Sequence, residues 1–116
     1  MPTLGQGSII LADLVDPQGH NPKVRPAVVV TSDADIRAGE ALTGVAITGA
    51  IDDPLPDTQI ELPWDPTGKA RTDLKKRSVA VCDWQAVVEQ SDVQRIIGHL
   101  PHATALEVVR RVIRSE

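Results

Sequence analysis

Short, branched apolar runs fill the first three quarters of the chain, and helical spacing takes over in the last. "SIILADL" (8–14), "AVVV" (27–30), "LTGVAIT" (42–48), "TQIEL" (58–62) and "SVAVCDW" (78–84) are β-branched or alternate polar with apolar, which predicts strands. "AVV" (86–88) either extends the fifth run or pairs beside it. Gly44 inside the third run marks an expected bulge. The segments between them, "DPQGHNP", "SDAD", "DDPLPD" and "PWDPTG", carry turn chemistry. Further on, "SDVQ" (91–94) has capping-box spacing and predicts a short helix that Gly98 would end. After Pro101 the same spacing recurs in "TALE" (104–107). Behind it Ala105, Leu106, Val109, Val112 and Ile113 share one helical face, with Glu107, Arg110, Arg111 and Arg114 on the other. The expected fold is mainly β, a single domain over 1–116. About five antiparallel strands curl into a closed or nearly closed small barrel, followed by a C-terminal helix.

Composition narrows this picture. There is no Phe or Tyr and only two Trp, so the core has to be built from Val, Ile, Leu and Ala. Net charge is −4, so an anionic partner has to be met by a local patch rather than by the whole surface. The single cysteine, Cys82, allows no internal disulfide and suits a reducing compartment. No apolar run reaches the length of a membrane span, and the N-terminus lacks the pattern of a signal peptide. A soluble, cytoplasmic protein is expected.

The local patch is present. Residues 63–77, "PWDPTGKARTDLKKR", form a long connection carrying Lys69, Arg71, Lys75, Lys76 and Arg77 against Asp65 and Asp73. Long loops are functional or disordered, and a charge run of this kind is equally a solvated, mobile loop. Trp64 at its start could stack on a base. A second concentration, His20, Lys23 and Arg25, precedes the strand at 27–30. Pro26 biases Arg25 toward extended geometry and should hold it at the strand's mouth rather than inside it. A guanidinium fixed there suits a phosphate or carboxylate; a surface ion pair is the plainer reading. Thr48 ends the third strand, where its hydroxyl can bind a phosphate oxygen or close the turn at Gly49. His20 carries an imidazole, a side chain suited to general acid–base work. Asp83, a carboxylate in an apolar strand, should face solvent or a cation. Trp84 reads as core or interface filler. His20, His99 and His102 give no metal-ligand spacing, so neither a metal nor another cofactor is expected. Phosphate-loop, dinucleotide, serine-hydrolase and zinc-protease motifs are absent from the sequence.

Four segments, in order, resemble the MazF/PemK toxins of toxin–antitoxin systems. They are "GSIILADLVDPQGHNPKVRPAVVVTSD", "GVAITGA", "LKKRSVAVCDW" and "VQRIIGHLP". The resemblance implies an SH3-like barrel, also seen in CcdB, that forms a homodimer. It implies an endoribonuclease, an mRNA interferase that cuts single-stranded RNA at short sequences without a metal and is neutralised by an antitoxin. Carried over residue by residue, it makes Arg25 of R-P and Thr48 of I-T the catalytic pair, joined by His20 and Asp83. Lys23, Trp64, Lys69, Arg71, Lys75, Lys76 and Arg77 would bind RNA. The antitoxin is expected to dock an acidic C-terminal segment in the same place. PemK-like members carry an arginine two residues before the strand aspartate, whereas Val81 stands there in this chain. Two alternatives stay open: a non-catalytic, CcdB-like toxin that binds gyrase through the terminal helix, and a silent barrel that binds only RNA or antitoxin.

Overall fold

The computed structural model describes residues 3–115. Met1, Pro2 and Glu116, the ends of the expected 1–116 domain, lie outside the described residues. The strands are β1 (Ser8–Leu14), β2 (Lys23–Val29), β3 (Leu42–Thr48), β4 (Gln59–Leu62), β5 (Ser78–Val88) and β6 (Arg95–His99). The helices are α1 (Asp33–Arg37) and α2 (His102–Ser115), with one 3₁₀ turn at Gln90–Asp92. All strands join one antiparallel sheet in the order β4-β5-β3-β2-β1-β6. The expected mainly-β architecture with a terminal helix is present, with six strands among the described residues instead of about five. The sheet is a half-barrel. Its bend sits where β5 slips register against β3, so that Gln85 lies opposite Val45 but Ala80 lies opposite Ile47. Gly44 is not the bulge: it pairs regularly with Ala86, and a Cβ there would press on Ala27 at 3.3 Å.

Alternation along the strands builds a core on each face of the sheet. On one face Ile9, Val28, Val45, Ile47, Ala80 and Cys82 pack against Ala105, Val108 and Val112 of α2. On the other, Ile10, Ala12, Leu14, Ala27, Val29, Ala46 and Val88 gather with Ile36 of α1. The α2 stripe is therefore rotated from the expected one. Val108 is buried, while Ile113 remains 65% exposed.

Three further expectations change. "SDAD" is the start of α1, whose N-cap Ser32 accepts the Asp35 amide, so the segment closes a helical turn rather than a loop. "RIIGH" is the strand β6, not part of a helix stopped by Gly98. Ile96 packs in one core and Ile97 against the other, a two-faced demand that only a strand meets. Gly98 answers a steric need, because a Cβ on it would lie 2.3 Å from the Thr72 carbonyl oxygen. Among the described residues no helix is long and apolar enough to cross a membrane.

Candidate active site

Arg25 lies inside β2, opposite Ala12 of β1, and not at the strand's mouth. What is open is its other flank. β2 and β3 pair at Val29–Gly44, Val28–Val45 and Ala27–Ala46, and there the ladder stops. Backbone direction explains why. The Val30 amide donates to the Thr43 carbonyl, so residues two and four back, Val28 and Pro26, turn their backbone nitrogens the same way. Pro26 has no N–H to give to Ile47, and the next rung cannot form. Continued by two residues, the register would set Arg25 opposite Thr48. Instead the strands part and leave a cleft of about 670 Å³. Lys23, Arg25 and Pro26 line it from β2, Ile47 and Thr48 from β3 with Gly49 just after it, and Leu74, Lys75 and Lys76 from the long connection.

Arg25 is gripped without being neutralised. Its Nε donates to the Leu14 carbonyl at 3.3 Å and its Nη2 to the Asn21 carbonyl at 3.2 Å. The guanidinium lies over the Trp84 ring, 5.0 Å from the centroid, a cation–π contact. The indole N–H in turn donates to the Val15 carbonyl at 2.9 Å. Among the described residues Arg25 forms no ion pair, and Nη1 has no hydrogen-bond partner. A positive edge is thus left for an anion. Thr48 takes the turn role: its Oγ1 accepts the Ala50 amide at 3.1 Å. That bond uses a lone pair and leaves the hydroxyl hydrogen free to donate.

The 63–77 connection is anchored by hydrogen bonds to itself and to β6. Thr72 is fully buried, donating to the Pro63 carbonyl and accepting the Leu74 amide. The Arg71 carbonyl accepts the His99 amide of β6. Asp65 caps the turn at Thr67, whose hydroxyl and amide hold its carboxyl below the usual range. This path brings Lys76 alongside Gly49, with its Nζ 3.8 Å from where a Cβ would stand.

The remaining expected residues do not converge on the cleft. His20 is exposed on the β1–β2 loop, and Asp83 is exposed on β5 beside Trp84. Trp64, Lys69 and Arg71 do not line the cleft. Arg77 is turned toward β4, where Glu61 pairs with it at 2.5 Å and raises its pKa. Burial pushes the Cys82 thiol up to about 11, which suits a core residue and not a nucleophile. Sequence reasoning missed Trp84, whose indole N–H wants a partner and so was a signal against plain filler. It also missed Asp16, discussed below.

No curated protein matches the sequence. Solved structures do match the fold. MazF from Deinococcus radiodurans superposes with a TM-score of 0.72 at 16% identity, covering 99% of this chain and 97% of that one. A mycobacterial endoribonuclease in complex with its cognate antitoxin gives 0.70 at 16% identity, over 97% and 94% of the two chains. The Mycobacterium tuberculosis toxin MazF-mt6 gives 0.68 at 19% identity, over 93% and 94%. At these identities the likeness speaks for the fold alone. The sequence itself matches the family model of PemK-like, MazF-like toxins of type II toxin–antitoxin systems over residues 5–115. With nearly its whole length matched, this chain belongs to that toxin family.

Proposed function

We propose that the protein is an endoribonuclease toxin that cuts single-stranded RNA in the cleft between β2 and β3, using the RNA's own 2′-hydroxyl as nucleophile. One observation carries the reading: Arg25, with a free guanidinium edge, and Thr48, with a free hydroxyl hydrogen, line the same opening. In this reaction a 2′-oxygen attacks phosphorus and the bond to the 5′-oxygen breaks. The products are a cyclic phosphate and a 5′-hydroxyl. Charge builds on the phosphoryl oxygens, and preorganised donors aimed at that charge are commonly the largest contribution. Arg25 supplies them, and Thr48 orients the phosphate. Lys23, Lys75 and Lys76 hold the flanking backbone through salt-sensitive contacts. The resemblance names His20 and Asp83 for taking the proton from the 2′-hydroxyl and returning one to the 5′-oxygen, but neither lines the cleft, so each would have to reach the RNA from outside that lining. With Val81 where PemK-like members carry arginine, neither has that neighbour to tune it.

The same cationic cleft suits an acidic antitoxin segment, which would occupy the RNA's path. Two copies of the chain would form the working toxin in the cytoplasm. The gyrase-binding alternative finds no support in the family match, and it does not need the Arg25–Thr48 arrangement.

The test is cleavage of a long single-stranded RNA in EDTA. Arg25→Ala should slow it on the order of 100–1000-fold, and Thr48→Ala should slow it less. If both variants cut as fast as the parent, the assignment is wrong. Binding by the parent without any cleavage would instead establish the silent barrel.

A further inference from the structure

Arg25 is held by backbone carbonyls that all come from one short segment. Leu14 receives its Nε, Asn21 receives its Nη2, and Val15 receives the indole of the Trp84 beneath it. Residues 17–20 are exposed, so burial does not set their shape. One side chain does. Asp16 Oδ1 accepts the amides of His20 at 2.8 Å and Gln18 at 3.1 Å, and Oδ2 accepts Asn21 Nδ2 at 2.9 Å. Its backbone closes the same turn: the Asp16 amide donates to the His20 carbonyl, and its carbonyl accepts the Gly19 amide. Asn21 is thereby set in the left-handed region, at φ 54°, which aims its carbonyl at Arg25.

We propose that Asp16 is a positioning residue for Arg25, shaping the loop whose Asn21 carbonyl aims the guanidinium at the scissile phosphate. The proposal rests on the nuclease reading above. Its physical sense lies in distance. A carboxylate directly on Arg25 would compete with phosphate for the charge. A carboxylate spent on loop amides, with neutral carbonyls passing the constraint on, fixes the guanidinium and leaves its charge available. The amides, that of His20 above all, hold the Asp16 carboxyl below the usual aspartate range, in keeping with a carboxylate that is used.

The experiment compares single-turnover cleavage and RNA affinity for Asp16→Ala, Asp16→Asn and Arg25→Ala, and for Asp16→Ala placed on Arg25→Ala. Asp16→Ala should lose on the order of 10–100-fold in kcat with KM nearly unchanged, because misplacing a catalytic group is costly even when binding survives. Asp16→Asn should fall between. Its Oδ1 still accepts the two amides, but its Nδ2 meets the Asn21 Nδ2 donor to donor. On the Arg25→Ala background, Asp16→Ala should cost nothing further. An equal loss with and without Arg25, or none at all, overturns the positioning role. The Arg25 Nη2 proton donated to the Asn21 carbonyl gives a readout independent of activity. By NMR it should exchange slowly in the parent and quickly in Asp16→Ala; equal exchange rates overturn the proposal even if cleavage drops. Parent-rate cleavage by Arg25→Ala would strike down the role of Arg25 in the nuclease reading, whereas a slow Arg25→Ala beside a fast Asp16→Ala would strike down the positioning alone.

Discussion

Ala27–Val29 and Lys23–Pro26 are consecutive halves of β2, and they serve opposite ends. The first half is paired on both sides and buried. The second is paired with β1 only and borders the cleft. The change comes between Ala27 and Pro26, where a residue without an N–H meets a rung that needs one. A single missing donor thus separates a stretch that stabilises the sheet from a stretch that can hold a ligand.

Three measurements would break or sharpen this contrast. The largest effect is expected in the closed half. Val28 is fully buried against α2, and Val28→Ala should cost about 2 kcal/mol of stability from lost burial and the cavity left behind. Denaturant unfolding would show the loss, while the folded fraction should cut RNA at the parent rate. A stable but inactive Val28→Ala would mean the halves are not separable. A smaller effect is expected at the boundary. Pro26→Ala restores a donor facing the Ile47 carbonyl, and one added hydrogen bond is worth roughly 0.5–1.5 kcal/mol. Hydrogen exchange should find the new amide protected and cleavage slowed as the strands draw together. A freely exchanging amide would show that something other than proline parts the strands. The smallest effect is confined to the loop beyond the open half. Because the Asp16 carboxyl is lowered from 3.8, its hold on the loop is complete above that value and is lost only as pH falls through the lower folded pKa. The His20 amide shift should therefore persist on acidification past 3.8 and move at more acidic pH. A midpoint at 3.8 or above would contradict the loop geometry.

Much of this was legible beforehand where one pattern had one outcome. β1 and β3 have the bounds their apolar runs predict, and α2 follows from its spacing. Arg25 and Thr48 were identifiable as partners only through resemblance, because their meeting depends on a register the sequence does not state. The open half of β2 was missed as strand because Lys23, Val24 and Arg25 carry no apolar alternation; β1 supplies their pairing. β6 was misread because Ser91 and Gln94 mimic a helix start, while the deciding fact, two isoleucines wanted on opposite faces, belongs to the packed sheet. The anchoring of the 63–77 segment was hidden for the same reason. Its anchors, Thr72 and the Arg71 carbonyl, act on partners far away in sequence.

That anchoring has a consequence for how the molecule tolerates change. The segment leaves from β4 at one margin of the sheet and fastens to β6 at the other, so it acts as a seam across the gap of an unclosed cylinder. Backbone of the segment covers part of the β6 margin, which shields an otherwise sticky border from strand-to-strand association. Its route past Gly98 cannot be redrawn without unbuttoning the cylinder.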